Sequence, residues 1–431
     1  MVNCIDMFPM IKINKILRAH LFIVFIIWAF LYNTSLAENS ADLKTFINEA
    51  LQNNPEILAL KRRYEAASAR IPQAASLSDP VLEFEHDRIT ADRKLMGDPM
   101  DTWAVSQEIP FPTKLFLRAK VASRLSKMAY ENYRAKERQV IADVKAAYSK
   151  LFLIYRSAEI NIENKMILEQ FSQVATTRYS VDKGTQADAL KAQVELAKVE
   201  NALVLLEQER LTTQAKLNIL LNNDPKTEIG TPVPEKAIKF TRPLEEFYEM
   251  AKVNNPELKA YRYGIEKGSA AYGLAVNEFL PDFMVKYKQM VRKGELEDGA
   301  WAGMLGVTIP LWFFQKQAFG VKEMRAELEM LKAEYRMKEN MVLFDIRDAF
   351  ARAEANKKLV ELYETSFIPQ AEQTVNAALK GYESEKTDFL NLLDSQRMLI
   401  DFKLERYKAI SELRIALADL ERAVGIDVNF E

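Results

Sequence analysis

One stretch of the chain, residues 113–224, carries apolar positions at helical spacing and almost no residue that breaks a helix. It contains no proline and one glycine, Gly184, and it is rich in Ala, Leu, Lys, Glu and Gln, which favour helices. This pattern predicts two very long helices joined by a turn near Gly184. Because an α-helix rises about 1.5 Å per residue, the arm from Thr113 to about Arg178 would be roughly 95 Å long. Such a length indicates a protein that acts across a distance.

Two segments alternate apolar and polar residues, as half-buried β-strands do. Residues 81–109 and 282–310 each read as two strands joined by a loop. One face of the second hairpin is apolar and aromatic, and its residues are Phe283, Val285, Tyr287, Gln289, Val291, Trp301, Gly303, Leu305, Val307 and Ile309. Such a face packs on a second sheet in a soluble sandwich or meets lipid in a transmembrane barrel. Four strands close neither structure alone, so the strands predict an oligomer.

The whole pattern occurs twice along the chain. The tetrapeptide Asn53-Asn54-Pro55-Glu56 returns as Asn254-Asn255-Pro256-Glu257, each time with proline in the first turn of a helix behind an asparagine cap. The other recurring pairs, each about 200 residues apart, are Pro80 and Pro281, Trp103 and Trp301, Ile109-Pro110 and Ile309-Pro310, and Tyr179 and Tyr382. The duplication predicts a mainly α protein with a small β part, built from long antiparallel helical hairpins.

The repeats define the predicted organisation. The parts are a signal peptide at 1–37, a first repeat at 38–223 with its hairpin at 81–109 and long helices at 113–223, a connector at 224–243, and a second repeat at 244–427 with its hairpin at 282–310 and long helices at 314–424. The connector contains four prolines, which predicts that it is not helical.

The N-terminus has the three parts of a secretory signal peptide. Lys12, Lys15 and Arg18 precede an apolar run at 21–31, and Ser35-Leu36-Ala37 offers the small residues that a signal peptidase recognises. We expect cleavage after Ala37. An uncleaved membrane anchor is the alternative, but the run is short for a span, which takes about 20 residues. Met10 is an alternative start to Met1.

Removal of residues 1–37 restricts the chemistry of the remaining chain. It leaves no cysteine and one histidine, His86, and it changes the formal net charge from −2 to −4, because three basic residues and Asp6 are lost. There is then no disulfide framework, no thiolate nucleophile and no Cys/His metal cluster. No phosphate-binding loop or nucleophile elbow occurs either. We expect no catalytic residue, no cofactor and no metal site, and the lack of a basic excess gives no reason to expect nucleic acid. His86 is interpreted as a polar strand residue.

The ordered, duplicated motifs resemble the TolC-like outer-membrane efflux proteins. The motifs are the two Asn-Asn-Pro-Glu tetrapeptides, the hairpin ends Gln107-Glu108-Ile109-Pro110-Phe111-Pro112 and Val307-Thr308-Ile309-Pro310-Leu311, and the Tyr, Leu and Gln residues at 179, 190 and 193 and at 382, 393 and 396. The first hairpin end is most similar to the branch of the family that serves heavy-metal resistance pumps. The resemblance covers about residues 40–427.

The resemblance implies a homotrimer in the outer membrane of a Gram-negative bacterium. Each protomer would give four strands to a 12-stranded transmembrane β-barrel, and the long helices would form an α-barrel through the periplasm. The implied function is a passive exit duct in a tripartite efflux system. Its implied partners are outer-membrane lipid, a periplasmic adaptor protein and an inner-membrane pump of the resistance-nodulation-division type.

The same resemblance places a narrow entrance at the periplasmic tips of the helices. It implies acidic pore-constriction residues at Asp394 and Asn391, the latter a departure from aspartate, and at Asp188 in the first repeat. The tip turns would contain Tyr179, Asp182, Gly184, Tyr382 and Glu385. Asp182 and Glu385 stand where the family commonly has glycine, which leaves the backbone conformation of the tips open.

Two other functions remain at this point. A type I secretion system would use the same kind of duct for proteins, and a soluble periplasmic scaffold or adaptor would also need long coiled-coil helices. The cargo of a duct, whether metal cations, other small toxic compounds or proteins, is not determined by any residue pattern.

Overall fold

The computed structural model of the protein describes residues 42–87, 100–233, 242–292 and 300–428. The predicted signal peptide, the loops of both hairpins and the middle of the proline-rich connector lie outside these residues.

The described elements follow the same order twice. The first repeat comprises α1 (Leu43–Asn53), α2 (Pro55–Ala75), β1 (Val81–Asp87), β2 (Met100–Ile109), α3 (Pro112–Ser180) and α4 (Gln186–Leu221). The second comprises α5 (Leu244–Asn254), α6 (Pro256–Asn277), β3 (Asp282–Arg292), β4 (Ala300–Thr308), α7 (Lys316–Leu362), α8 (Ile368–Glu383) and α9 (Phe389–Val424). The prediction of a mainly helical protein with a small β part is confirmed. The 69 residues of α3 correspond to a helix about 100 Å long.

The repeated Asn-Asn-Pro-Glu tetrapeptide joins the end of one helix to the start of another. The side-chain oxygen of Asn54 caps the N-terminus of α2, and its amide nitrogen donates to the carbonyl of Leu220 in the last turn of α4 (3.0 Å). Asn255 caps α6 in the same way and donates to the carbonyl of Ala423 in α9 (2.6 Å). Each asparagine satisfies both a free donor and a free acceptor at helix ends. As a result, α2 continues the line of α4, and α6 continues the line of α9.

The helices form a layer that is four helices wide at each level. Near the strands, α3 packs between α2 and α6, and α6 also contacts α7. Farther away, α3 packs between α4 and α9, and α9 contacts α7 and α8. The two edges of the layer are therefore α2 and α4 on one side and α7 and α8 on the other. Within the described residues, no helix is both long and apolar enough to cross a membrane.

The four described strands form one antiparallel sheet in the order β1-β2-β3-β4. Phe84 pairs with Trp103, Trp103 with Gln289, and Gln289 with Trp301, so these residues share one row on one face. That face is exposed in the protomer, with Trp301 71% and Leu305 83% accessible. The other face carries small and polar residues, including an ion pair between Glu83 and Lys286. His86 lies in β1 and contacts Asp101 of β2 at 2.5 Å.

The second long arm differs from the predicted helical pair at 314–424. A hydrogen-bonded turn precedes α7, which begins at Lys316, and a π-helical turn at Tyr363–Phe367 separates α7 from α8. Pro369 explains the second difference, since proline lacks the N–H of a regular helix and its ring clashes with the carbonyl four residues earlier. The wider π turn relieves that clash, and it stacks Phe367 on Phe402 of α9 with ring centroids 5.1 Å apart. In the first repeat, α3 is continuous and begins at Pro112, one residue before the predicted start.

Candidate channel entrance at the helix tips

Both helical hairpins turn at the same end of the molecule. The α3–α4 turn and the α8–α9 turn each follow an arm of nearly 70 residues that starts at the sheet. At about 1.5 Å per residue, both turns lie about 100 Å from the strands. The predicted tip residues Tyr179, Asp182, Gly184, Tyr382 and Glu385 are therefore brought to one end.

The two turns have the same backbone structure. The N–H of Lys183 donates to the carbonyl of Arg178 (2.8 Å), and the N–H of Lys386 donates to the carbonyl of Gly381 (2.8 Å). In each turn the preceding residue donates to the carbonyl of the tip tyrosine (3.2 Å). These paired bonds are a Schellman motif, which ends a helix with one residue in the left-handed conformation.

That left-handed residue is Asp182 in one turn, with φ 56°, and Glu385 in the other, with φ 58°. Glycine adopts this conformation freely, whereas a residue with a Cβ pays about 1–2 kcal/mol for it. The question left open by the missing glycines is thereby answered. The tips keep a regular turn, with a strained, exposed acidic residue in each.

Replacing Asp182 or Glu385 by glycine should stabilise its turn by about 0.5–1 kcal/mol, because the relief of strain exceeds the added flexibility of the unfolded chain. Hydrogen exchange of the Lys183 and Lys386 amides should slow by about twofold to fivefold. Ser180→Gly, at the last residue of α3, is the matched control and should speed exchange of the Lys183 amide. Faster exchange in Asp182→Gly would contradict the assignment of strain.

Each turn also has one glycine beside it. In the first repeat this is Gly184, after the left-handed residue, and in the second it is Gly381, before the left-handed residue. A Cβ at Gly184 would lie 3.1 Å from the Cβ of Arg178, and a Cβ at Gly381 would lie 2.6 Å from Oγ1 of Thr387. Arg178 and Gly381 are equivalent positions 203 residues apart, as are Gly184 and Thr387. In each turn, therefore, one of the two residues that face each other must be glycine. It is Gly184 opposite Arg178 in the first repeat and Gly381 opposite Thr387 in the second. Gly184 lies in the α3–α4 turn, and the sequence analysis did not single out Gly381.

The helices that leave the tips begin with side-chain caps. In α4, Oγ1 of Thr185 accepts from the Asp188 N–H (3.2 Å), and the Asp188 carboxylate accepts from the Thr185 N–H (3.3 Å). In α9, the carboxylate of Asp388 accepts from the Asn391 N–H (3.1 Å). Asp188 and Asn391 thus hold equivalent positions in the first turns of α4 and α9. Capping is a structural role for Asp188 that the sequence reading did not assign.

The two tips are joined by a cation–π contact and by packed aromatic rings. The guanidinium of Arg178 lies 4.4 Å from the ring centroid of Tyr382, within the range of a cation–π interaction. The Tyr382 ring packs on Phe389 (5.4 Å), which in turn contacts Phe171 of α3 (6.4 Å). Tyr382 is 8% exposed. This contact couples the end of α3 to the second-repeat turn.

Asp394 lies exposed in a groove between the first turns of α4 and α9. The groove also contains Lys191, Glu195 and Arg397, above an apolar floor. Lys191 is the first-repeat equivalent of Asp394. The predicted acidic group is therefore accompanied by basic side chains that the sequence analysis missed. Lys191 could have been found, because it lies 203 residues before Asp394, the same separation as between the two tip tyrosines.

Metal-binding chemistry is not found in the described part of the chain, where no group of three or more His, Cys, Asp and Glu side chains is arranged to hold an ion. The groove around Asp394 instead offers single charges on long helices.

Comparison with known proteins decides the family. The sequence model described as "Outer membrane efflux protein" matches residues 46–223 and 247–426. The chain belongs to the outer membrane efflux protein family. The matched segments cover most of the two predicted repeats, and the resemblance inferred from the duplicated motifs is confirmed. Members of this family are efflux ducts of the Gram-negative outer membrane, and this chain is one such exit duct.

Individual members of the outer membrane efflux protein family agree with this assignment. The chain is 21% identical to the cobalt-zinc-cadmium resistance protein CzcC of Cupriavidus metallidurans over 89% of this chain and 90% of that protein. The crystal structure of VceC from Vibrio cholerae superposes with a TM-score of 0.78 at 17% identity, covering 90% of this chain and 97% of that one. The structure of CusC superposes with a TM-score of 0.78 at 15% identity, covering 92% and 95%. At these identities the two structures establish the fold.

Proposed function

We propose that three copies of this chain form a closed duct that spans the outer membrane and extends into the periplasm. The observation that carries this proposal is the sheet, which has an exposed apolar face and two edges, β1 and β4, that pair with no other strand among the described residues. Exposed strand edges pair with other strands, and pairing β4 of one copy with β1 of the next closes a barrel. Three copies give 12 strands, enough to enclose a water-filled path.

The helical layer supports the same closure. Both of its edges expose apolar side chains: Val204, Leu205, Leu211 and Ile219 on α4, and Met330, Met337, Met341 and Phe344 on α7. In a ring of copies, the α2 and α4 edge of one copy meets the α7 and α8 edge of the next head to tail, and the ring closes when the rotation allows it. The homotrimer would thus bury both stripes and complete an α-barrel in line with the β-barrel.

The tips are the proposed periplasmic end, since they lie about 100 Å from the strands. We infer that a periplasmic adaptor and an inner-membrane pump of the resistance-nodulation-division type meet the duct there, and that export includes removal of residues 1–37. The rigid turns at Asp182 and Glu385 would present a defined surface to the adaptor. The duct itself would be passive and carry no enzymatic activity.

Metal cations are the proposed cargo, supported by the similarity to the cobalt-zinc-cadmium resistance protein over most of both chains. Deleting the gene in its own host should lower the tolerated concentration of zinc, cobalt or cadmium salts by severalfold, and a plasmid copy should restore it. Organic toxicants serve as the control. Unchanged metal tolerance together with lost tolerance to organic compounds would show that the cargo is small toxic compounds and not metals. If the deletion strain instead fails to secrete a protein, type I secretion would be favoured.

Asp394, Asn391 and Asp188 are the proposed pore constriction. Three copies of Asp394 around an axis would place carboxylates close together at the entrance and favour cations. Lys191 and Arg397, which share its groove, would reduce this preference without reversing it. Asp188 would contribute less, because its carboxylate is held by the cap at Thr185.

Asp394→Ala should raise single-channel conductance, because a side chain is removed from the constriction, or reduce cation preference, because a ring of charge is removed. The measurement is current through purified protein in a planar bilayer, with the reversal potential read in a salt gradient. Glu329→Ala, an exposed acid far from the tips on α7, is the control and should leave both quantities unchanged. A conductance and a reversal potential that Asp394→Ala leaves at their wild-type values would remove Asp394 from the entrance.

A further inference from the structure

The segment between β4 and α7 exposes a dense group of large apolar side chains. Leu311, Trp312, Phe313 and Phe314 follow one another, and their exposed fractions are 71%, 67%, 52% and 53%. Monomeric soluble proteins rarely expose such a contiguous patch. The sequence analysis used this segment as a repeat motif at Ile309-Pro310 and as a family motif that ends at Leu311, and it assigned Trp312, Phe313 and Phe314 no function.

The patch is held in a defined conformation. The carbonyl of Trp312 accepts from the N–H groups of Gln315 (3.0 Å) and Lys316 (2.9 Å), so the backbone forms a hydrogen-bonded turn. The Phe314 ring packs against Phe313 (5.8 Å) and Trp312 (6.2 Å). The rings therefore support one another while their outer surfaces remain exposed.

The patch continues the apolar face of the sheet. Phe313 contacts Phe279 (6.5 Å), which precedes β3, and Phe283 at the start of β3 lies on the exposed face beside Phe111 (6.4 Å). Aromatic rings thus gather at the helix end of the sheet, at the junction with the long helices.

A second aromatic group lies at the opposite end of the same face. Phe84 packs on Trp103 (4.7 Å), and Tyr287 stacks on Trp301 (6.4 Å). Trp301 and Thr308 are separated by about 23 Å along β4, and the turn with Trp312 extends farther. With the strands tilted by about 40°, this stretch of β4 rises about 18 Å, and the turn with Trp312 adds to that height. The two aromatic groups therefore lie toward opposite edges of the exposed face, as aromatic girdles do around the apolar band of membrane barrels, which is about 25 Å high.

Basic residues lie beyond the aromatic ones, at the start of the long helices. Lys316 and Lys322 are exposed in the first turns of α7, and Arg118 and Lys120 are exposed in the first turns of α3. Aromatic rings followed by basic side chains match the order of a membrane interface, where rings sit at headgroup level and Lys and Arg reach toward phosphates.

We propose that the turn Leu311–Phe314 is a membrane-interface anchor, which inserts its rings among the headgroups and upper acyl chains of the phospholipid leaflet on the helix side of the sheet. The proposal rests on the proposed duct, in which the exposed face of the sheet meets lipid. It adds a lipid-binding element outside the strands, which would fix the depth of the barrel and the start of the helical tunnel relative to the membrane.

Tryptophan fluorescence tests the anchor directly, because Trp103, Trp301 and Trp312 are the three tryptophans that follow the predicted signal peptide. Two single-tryptophan proteins are compared. One keeps Trp312 and carries Trp103→Phe and Trp301→Phe, and the other keeps Trp301 and carries Trp103→Phe and Trp312→Phe. Each is placed in vesicles of plain phosphatidylcholine or of phosphatidylcholine brominated near the headgroup end or near the middle of its acyl chains.

Bromine near the headgroup end should reduce Trp312 emission by about twofold relative to plain lipid. Bromine in the middle of the acyl chains should reduce it less, as expected for a ring at the interface. Trp301, on the lipid-facing sheet, should also be quenched. Quenching of Trp301 without quenching of Trp312 would overturn the anchor while leaving the barrel intact, since the turn would then be covered by another copy. Absence of quenching at both positions would overturn the proposed membrane duct as well.

Discussion

Replacing Lys114 by methionine is expected to destabilise the protein by about 3 kcal/mol, the lower part of the range for removing one partner of a buried ion pair. Lys114 is 1% exposed, and its ammonium donates to both carboxylate oxygens of Asp282 (2.9 Å each) and to the carbonyl of Leu280 (3.0 Å). Asp282 also accepts from the Phe111 N–H (2.8 Å). The lower value applies because the Asp282 side chain remains 36% exposed and keeps some hydration.

The pair ties the start of α3 to the start of β3, where the helical layer joins the sheet. The measurement is the apparent melting temperature of the detergent-extracted protein, followed by circular dichroism at a fixed scan rate. Lys120→Met, an exposed lysine of the same helix, should change little. The double variant Lys114→Met/Asp282→Asn should recover part of the loss, because the charge of Asp282 is then removed and the carboxylate left without its lysine, that of Glu278 (3.5 Å from the Lys114 ammonium), is 43% exposed and keeps its hydration. Equal melting temperatures of Lys114→Met and Lys120→Met would show that the pair does not hold the junction.

Replacing Gly425 by alanine is the second large effect, with an expected loss of about 2–4 kcal/mol. Gly425 ends α9 with φ 91°, a conformation that strains any residue with a Cβ. A Cβ here would lie 2.7 Å from Cα of Asn255, 2.8 Å from Cδ of Pro256 and 2.9 Å from the carbonyl oxygen of Asn254. Backbone atoms cannot move aside without breaking the bond from Asn255 to the carbonyl of Ala423.

Two variants separate this contact from general effects of glycine. Gly320→Ala in α7 has no atom within 4 Å of the new Cβ, and it should be neutral or stabilising because alanine favours helices. Asn222, the first-repeat equivalent of Gly425, already holds a side chain in the left-handed conformation with φ 61°. Asn222→Ala should therefore cost less than Gly425→Ala. A small loss in Gly425→Ala, measured as for Lys114→Met, would contradict the close packing of α9 on α6.

Local sequence was sufficient for the architecture. The long proline-free stretch after Thr113 predicted α3 and α4, and the duplicated tetrapeptides around Pro55 and Pro256 predicted where α2 and α6 begin. The alternation in 282–310 predicted which face of the hairpin is apolar. These features depend on helix propensity, capping and period, which act between neighbouring residues.

The remaining features depend on contacts between residues that are far apart in the sequence, which local patterns do not predict. The burial of Lys114 requires Asp282, 168 residues later, whereas a lysine at the start of a long helix otherwise indicates a solvated face. The left-handed conformation of Asp182 is imposed by the Schellman turn against the preference of aspartate. The pairing of Arg178 with Tyr382 requires the two tips to lie side by side. Only the π-helical turn had a local cause, Pro369, and the prediction did not use it.

The trimeric outer-membrane duct is tested most directly by the mass and location of the native protein. Membranes of the host are separated on a density gradient, and the detergent-extracted protein is measured by native mass spectrometry. We expect a particle of three chains in the outer-membrane fraction, each chain lacking residues 1–37. A monomer in the soluble periplasmic fraction would contradict it, because both edges of the helical layer and of the sheet would then have no partner.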